Sequence, residues 1–455
     1  MRFVIVGAGS VGLSLAHRLV VNRHDVVLIE KEDQVIERIP PSLDLQVIQG
    51  NGAAPEIISR AGLSNADYFV ALTDVDEVNI SSALMAKLIN PRAKRIVRVR
   101  NLDLLHSRIS PERLSEYFDL VVNPEQAGAS YLFELFKVPG AREIVELAGG
   151  KIRLLGIEVA ENSKVADKRV HTLMELQREF PFLILALIRE NKIIVPRGNE
   201  KLLAGDSVYV ITPPQYTRSL LELMGRKRPI ADSVMIWGGS LLCRMLARLI
   251  ETTGTKIKLI LSDIETASEV MDTFADILVL QGDGTDQDLL LQENIQDVDT
   301  FIAVTPNEEK NVLAALLAKK LGAKNSMALI ANPSYGQLVS AIGVDASVSS
   351  QIAATSLIFR HIHSESLISE LSFQQRDAMF VEVEATPELP ILNMPIEEIQ
   401  FPHGVLIAAI LRSGQVLIPR GRDQVLQGDA VLVFSLRSSL KKLQQILDLD
   451  LEIVS

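Results

Sequence analysis

A glycine-rich turn close to the N-terminus is the first stretch of this sequence whose residue types suggest chemistry. The run Gly7-Ala8-Gly9-Ser10-Val11-Gly12 has the spacing G-x-G-x-x-G. In a turn of this kind the first glycine permits a sharp change of direction, and the second lets the backbone approach a pyrophosphate. The third lets the following helix pack closely against the preceding strand. Because the first N–H groups of a helix are free to donate, the motif predicts a phosphate-binding loop.

An acidic residue further along the chain completes the pattern. Glu30 lies 18 residues beyond Gly12 and directly follows the apolar run Val26–Ile29. A carboxylate at this position can accept hydrogen bonds from both hydroxyls of an adenosine ribose, and it repels a 2′-phosphate. The sequence therefore favours NAD(H) or an adenine nucleotide over NADP(H). The alternative is a turn that only packs a helix against a sheet, with Glu30 solvated, and the complete pattern speaks against it.

The elements around these residues predict how they are positioned. An apolar strand, Phe3–Val6, precedes the glycine turn, an amphipathic helix follows it, and a second strand ends at Glu30. Further predicted strands at 68–72 and 95–99 alternate with a helix at 78–89. This alternation is typical of the α/β class, in which a doubly wound parallel sheet of the Rossmann type carries helices on both faces.

Three polar residues lie where the predicted strands end. Thr73 and Asp74 follow the strand 68–72, and Arg98 lies near the end of the next strand. Ligands of doubly wound sheets bind at the carboxyl ends of the strands, so we expect these side chains to line the same crevice as the glycine turn. The alternatives are ordinary strand-end capping for Thr73 and Asp74, and a salt bridge to nearby acids for Arg98.

Composition and charge narrow the class of protein. The 455 residues are 47% hydrophobic and 23% charged, which is typical of a globular chain of about three domains. The formal net charge of −11 disfavours binding to nucleic acid, whereas a basic cytoplasmic face of a membrane protein would attract such a chain. The sole cysteine, Cys243, excludes an internal disulfide and suits the cytosol. No apolar run approaches the roughly 18 residues that span a bilayer.

The second half of the sequence repeats the first. Val234–Gly239 matches Phe3–Ala8 in residue type, and Gly282-Asp283-Gly284 matches Gly50-Asn51-Gly52 at an offset of 232 residues. Between them the pattern changes to short strands and turns, which indicates a small α+β module. Ile418-Pro419-Arg420-Gly421 repeats a motif of this module, Val195-Pro196-Arg197-Gly198, at an offset of 223 residues. We therefore predict two tandem units, with Rossmann domains at 1–138 and 231–365 and small α+β modules at 141–225 and 371–455.

Residues that an enzyme would need are missing from the sequence. None of the seven histidines lies beside a tyrosine, lysine or acid in a familiar dehydrogenase arrangement, and no zinc motif is present. The small modules show no catalytic signature, and their Pro-Arg-Gly and Gly-Asp elements are interpreted as hairpin turns. The sequence thus favours a non-enzymatic, nucleotide-sensing protein. Two alternatives stay open: an NAD-dependent oxidoreductase with an unrecognised substrate domain, and a structural adaptor that binds nothing.

Taken together, the motifs resemble those of a known family. The glycine turn, the Gly-Asn-Gly loop, Ala71-Leu72-Thr73-Asp74 and the pair Pro196-Arg197-Gly198 and Gly205-Asp206, all with duplicates, are similar to TrkA proteins, the cytosolic regulatory subunits of bacterial Trk potassium uptake systems. Their domains are called RCK domains, for regulators of potassium conductance. The resemblance implies that NAD(H), or ATP or ADP, binds in the Rossmann crevice. It also implies a homotetrameric gating ring, peripheral on the inner face of the cell membrane, beneath a Trk-type potassium-translocating partner.

The resemblance also assigns roles to residues. It implies a nucleotide site whose pyrophosphate, ribose and remaining contacts are formed by Gly7, Ala8, Gly9, Ser10, Val11, Gly12, Glu30, Thr73, Asp74 and Arg98. The second unit departs from the pattern, because Ser240 and Cys243 replace two glycines and Leu261 stands opposite Glu30. We expect the side chain of Ser240 to intrude on the phosphate space and that of Cys243 to push the helix outward. The second unit is therefore predicted to bind dinucleotide weakly or not at all.

Overall fold

The computed structural model of this chain describes residues 1–101, 104, 110–176, 179–190, 192–226, 231–263, 274, 277–332, 335–362, 368–373 and 376–448. These residues form two compact units. The first contains Met1–Ala129 and the later helix Ser350–Ile362. The second contains Ser130–Val348 and the described residues from 368 onward.

The first unit is built on a parallel sheet with the strand order β3-β2-β1-β4-β5-β6. Its strands are β1 (Arg2–Val6), β2 (Asp25–Glu30), β3 (Gln46–Gln49), β4 (Tyr68–Ala71), β5 (Lys94–Arg98) and β6 (Leu120–Val122). The order reverses between β1 and β4, and the carboxyl ends of those two strands therefore flank the crevice of a doubly wound fold. The predicted α/β class and the Rossmann topology are confirmed.

Helices cover both faces of this sheet. They are α1 (Ser10–Val21), α2 (Asp33–Ile36), α3 (Pro55–Arg60), α4 (Asp76–Ile89), α5 (Pro111–Ser115) and α6 (Pro124–Lys137), the last of which continues into the second unit. Alternate strand residues point to opposite faces, so Val4 and Phe69 pack beneath one layer of helices and Phe3 and Val70 beneath the other. The predicted helix at 104–109 lies outside the described residues except for Leu104.

The helix Ser350–Ile362 reaches the first unit from far along the chain. Its buried residues Ile358 and Phe359 share a core with Leu15 and Leu19 of α1. The guanidinium of Arg18 lies 4.4 Å from the centre of the Phe359 ring, a cation–π contact that adds to the apolar packing. The helix that carries the glycine turn is thus covered by a segment more than 300 residues later in the sequence.

The second unit contains a second parallel sheet with the order β14-β13-β12-β15-β16-β17. Its strands are β12 (Ser233–Trp237), β13 (Lys256–Leu261), β14 (Leu278–Gln281), β15 (Thr300–Ala303), β16 (Asn325–Leu329) and β17 (Ala346–Val348). The helices of this half are α8 (Leu241–Glu251), α9 (Gln287–Gln292), α10 (Glu308–Lys320) and α11 (Gly336–Ala341), with α12 being the helix Ser350–Ile362 of the first unit. The strand order repeats that of the first sheet, which confirms the duplication of the Rossmann fold.

Two antiparallel sheets complete the second unit. The first has the order β10-β9-β11-β8-β7 and is followed by α7 (Thr217–Leu223); its strands are β7 (Ala141–Leu147), β8 (Ile152–Glu158), β9 (Leu183–Arg189), β10 (Lys192–Ile194) and β11 (Ser207–Thr212). The other has the order β18-β19-β22-β20-β21 and is followed by α13 (Leu440–Leu447); its strands are β18 (Ile368–Phe373), β19 (Arg376–Glu384), β20 (Val405–Arg412), β21 (Gln415–Leu417) and β22 (Ala430–Leu436). Read from opposite edges, the two orders are the same. The sheets pack face to face, because Leu154 and Tyr209 share one core with Phe380 and Phe434.

A buried ion pair recurs in both small sheets. The predicted turn at Gly205-Asp206 is present, with Gly205 at φ +86°. The Asp206 carboxylate also accepts two hydrogen bonds from Arg189, at 2.8 and 2.7 Å, and only 3% of Asp206 is exposed. Arg412 and Asp429 repeat the pair at 2.9 and 2.8 Å. These motifs therefore fasten each turn to a neighbouring strand in addition to forming the turn.

Candidate nucleotide-binding site

Two of the three glycines in the first turn are required by the fold itself. Gly7 has φ +98°, and a Cβ atom there would lie 2.9 Å from the backbone nitrogen of Thr73. A Cβ atom at Gly12 would overlap the carbonyl oxygen of Gly7. The turn between β1 and α1 therefore closes only because both positions lack a side chain.

Gly9 is different, because the protein does not require a glycine at this position. Its backbone angles, φ −64° and ψ 178°, are open to any residue. A Cβ atom at Gly9 would meet no protein atom within 4 Å. Gly9 is also the N-cap of α1, and no side chain caps the helix there. A bare backbone at an uncapped helix N-terminus fits the close approach of a pyrophosphate.

The carboxylate of Glu30 lies beside this turn, as the sequence predicts. Its Oε2 accepts a hydrogen bond from the backbone N–H of Ala8 at 2.8 Å. Its Oε1 accepts from the N–H groups of Lys31 and Glu32 at 2.7 and 3.1 Å. Each carboxylate oxygen has about two acceptor positions, so Oε2 retains one for a further donor such as a ribose hydroxyl. The three backbone bonds hold the carboxylate in one orientation.

Asp74 and Arg98 meet where β4 and β5 end. Nη1 of Arg98 donates to Oδ1 of Asp74 at 2.8 Å, which is the salt bridge that the sequence offered as an alternative role for Arg98. The arginine side chain is 8% exposed and the aspartate side chain 74% exposed, so the pair runs from the interior to the surface. Nε of Arg98 is buried and has no partner among the described residues.

The structure adds two charged residues that the sequence did not single out. Nη2 of Arg100 lies 3.5 Å from Oδ1 of Asp74, and its Nε lies 3.2 Å from Oε1 of Glu125 in the first turn of α6. The four side chains form one chain of alternating charge from β4 to α6. Arg100 follows β5 closely in sequence, but its contact with Glu125 depends on how the chain returns after β6.

The hydroxyl of Thr73 faces the protein. It lies 2.7 Å from Oδ1 of Asn79, which also accepts the Thr73 N–H at 2.8 Å. Asn79 lies in α4 and is fully buried. Asn79 had no role in the sequence prediction, where it appeared only as the counterpart of Asn311 in the repeat. Thr73 and the loop after β4 are thus fastened to the first turns of α4.

The corresponding turn in the second Rossmann sheet keeps its backbone and loses its ligand-facing groups. Gly238 has φ +145°, and a Cβ atom there would lie 2.8 Å from the carbonyl oxygen of Val304, so it repeats Gly7. Ser240 stands at the position of Gly9, and its hydroxyl accepts from the N–H of Cys243 at 3.4 Å. This hydroxyl is therefore turned toward α8. Leu261, which replaces Glu30, is 1% exposed.

Cys243 occupies the position of Gly12 and is fully buried. Burial raises the pKa of its thiol to about 12, so it behaves as a small apolar side chain. Among the described residues, no group of three or more His, Cys, Asp or Glu side chains is arranged to hold a metal ion. Within the same part of the chain, no helix combines the length and the apolar character needed to cross a membrane.

Comparison with known proteins identifies the domains in the order that the sequence predicts. The TrkA-N domain matches residues 3–114 and 234–350. The TrkA-C domain matches residues 154–225 and 380–448. The matches alternate along the chain and together cover most of it.

Full-length relatives and a solved structure agree with these matches. The Trk system potassium uptake protein TrkA homolog 1 of Methanosarcina mazei is 34% identical over 452 residues, which are 98% of this chain and 99% of the relative. The protein TrkA of Vibrio alginolyticus is 29% identical over 438 residues, 95% of each chain. The structure of the GsuK channel bound to NAD has a TM-score of 0.61 at 16% identity, covers 98% of this chain and 79% of its own, and shares its fold. The chain therefore belongs to the TrkA family of Trk system potassium uptake proteins.

Proposed function

We propose that this chain is a regulatory subunit that binds NAD(H) in its first Rossmann crevice and controls a Trk-type potassium transporter. The observation that carries the proposal is Gly9, a glycine that the fold does not need, placed beside the oriented carboxylate of Glu30. The names of the relatives, which are potassium uptake proteins, support the regulatory role. The NAD in the structure of the GsuK channel supports the choice of ligand.

The residues of the crevice divide the ligand among them. The pyrophosphate lies on the backbone of Gly7, Ala8, Gly9, Ser10 and Val11, and Gly12 lets α1 approach it. Oε2 of Glu30 accepts a ribose hydroxyl. The Asp74–Arg98 pair lines the outer end of the crevice, with Thr73 behind it. ATP and ADP share the adenosine and the pyrophosphate with NAD, so they are the alternative ligands of this site.

The partner and the assembly follow from the same proposal. A chain with a net charge of −11 is attracted to the basic cytoplasmic face of a membrane protein. We propose that four copies form a gating ring, in the cytoplasm and peripheral on the inner face of the membrane, and that the ring docks on the potassium-translocating protein. The chain has no catalytic role of its own in this proposal, and binding energy from the nucleotide shifts the ring between two states.

Reconstitution with a Trk-type transporter tests the proposal. Potassium flux into vesicles is measured with and without NAD, NADH, ADP and ATP. We expect at least one of these ligands to change the flux, and Gly9→Val to abolish that change, because its side chain fills the phosphate space. The matched control is Ser240→Val at the equivalent position of the second sheet, which leaves the response intact. Flux that is the same with every ligand, in a complex that co-purifies, would refute the sensing role.

A further inference from the structure

The amide of Asn79 joins the ends of two neighbouring strands. Oδ1 accepts hydrogen bonds from the N–H and the hydroxyl of Thr73, at 2.8 and 2.7 Å. Nδ2 donates to the carbonyl oxygens of Thr73 and Arg98, at 2.9 and 3.0 Å. These four bonds use the whole capacity of a primary amide. Asn79 is fully buried, so no water can replace a bond that is lost.

The same arrangement occurs in the second Rossmann sheet. Oδ1 of Asn311 accepts from the N–H and the hydroxyl of Thr305, at 2.9 and 2.6 Å. Its Nδ2 donates to the carbonyl oxygens of Thr305 and Leu329, at 2.8 and 3.0 Å. Asn311 is 1% exposed. The two amides therefore do the same structural work in the two halves of the chain.

The side chains that these two amides position are not the same. In the first sheet the amide fixes the backbone that carries Asp74 and Arg98, which form the charged pair at the crevice. Pro306 and Leu329 stand at the equivalent positions of the second sheet. The duplication thus separates residues that build the fold, which recur, from residues that face a ligand, which occur in one half.

We propose that Asn79 is a positioning residue of the nucleotide site, and that Thr73 acts through it instead of contacting the ligand with its hydroxyl. The amide sets the distance between the ends of β4 and β5, and that distance determines where Asp74 and Arg98 meet. This inference rests on the proposed function, because it assigns a role within the same crevice. It differs from the sequence prediction, in which Thr73 itself completes the pocket.

The test compares Asn79→Asp with its matched control, Asn311→Asp. Each substitution keeps the size of the side chain and turns a donor into an acceptor that faces two carbonyl oxygens. Calorimetry and NADH fluorescence give the affinity, and the nucleotide-induced rise in melting temperature gives a second readout. We expect Asn79→Asp to weaken NADH binding about tenfold or more. We expect Asn311→Asp to lower thermal stability to a similar extent and to leave the affinity within about twofold of the unmodified chain.

A milder pair of variants covers the case in which Asn79→Asp does not fold. Thr73→Val and Thr305→Val each remove one hydroxyl and keep the other bonds of the amide. We expect a smaller loss of NADH affinity for Thr73→Val and none for Thr305→Val. Equal effects on affinity within either pair, whether both lose it or both keep it, would overturn the inference. The unmodified chain is titrated first, and its failure to bind any of the four nucleotides would refute the proposed function separately.

Discussion

The carboxylate of Glu30 allows the sharpest prediction about the nucleotide site. We consider Glu30→Gln, which keeps the shape of the side chain and replaces one oxygen with an NH₂ group. In one orientation the new NH₂ group faces the partly buried N–H of Ala8, and in the other it faces the exposed N–H groups of Lys31 and Glu32. Water can satisfy the exposed pair, so the second orientation is the less costly one and the fold is retained.

The loss of charge then acts mainly on ligand binding. A hydrogen bond to a charged group contributes about 1.5–3 kcal/mol, so the affinity for NADH should fall by about tenfold to a hundredfold. The preference for NADH over NADPH should narrow as well, because a neutral amide does not repel the 2′-phosphate. Both changes follow from one oxygen atom, Oε2, which retains an acceptor position beside the turn.

Isothermal titration calorimetry with NADH and NADPH measures both effects. The matched control is Glu32→Gln, which removes the same charge two residues away, on a side chain whose recorded ion pair is with exposed Lys31. We expect Glu32→Gln to bind both ligands as the unmodified chain does. If Glu30→Gln binds NADH with unchanged affinity, or if the two variants behave alike, then the carboxylate does not contact the ribose and the reasoning is wrong.

Four further outcomes are expected. Gly9→Val should lose NADH binding with little change in melting temperature, because its side chain meets no protein atom, whereas Gly12→Ala should lower the melting temperature because it overlaps Gly7. Burial raises the pKa of Glu143 to about 7, while a hydrogen bond with Tyr209 opposes the shift. The folded state therefore binds the extra proton, and the stability contributed by this group falls as pH rises from about 4.5 to about 7. Glu143→Gln should remove that slope and stabilise the chain by about 1–3 kcal/mol at pH 8, as calorimetric scans across pH would show. Light scattering should report a tetramer at micromolar concentration, and a monomer with and without nucleotide would contradict the ring. The purified chain should not oxidise NADH, and steady oxidation that scales with a small metabolite would favour an oxidoreductase.

Much of the first crevice could be predicted from sequence because its parts are local. A strand, a glycine turn and a helix occupy adjacent stretches of chain, and the steric need for glycine at Gly7 and Gly12 arises within that one turn or just beside it. Glu30 and Arg98 are distant in sequence, but both lie at carboxyl ends of parallel strands, which meet at one edge of any such sheet. The alternation of strands and helices therefore located these residues without coordinates.

Other features depend on where separate parts of the chain meet. The strand β7 was not predicted, because its pairing with β8 is interrupted by a bulge next to Ala141 that disturbs the simple alternation of buried residues. The roles of Arg189 and Asp206 were missed because an arginine at a strand end and an aspartate in a turn are common, and only their pairing is informative. No periodicity indicates such a pairing.

The sequence by itself determined the class of fold, its duplication and the residues of a phosphate-binding turn, since all three are written in short-range patterns of residue type. Tertiary structure decided which of those residues face a ligand. It showed that Gly9 is dispensable to the fold and that the hydroxyl of Thr73 is bonded to Asn79. It also placed the helix Ser350–Ile362 against α1. These contacts join segments far apart in the chain, and their partners are fixed by packing and by hydrogen bonds that no local pattern records.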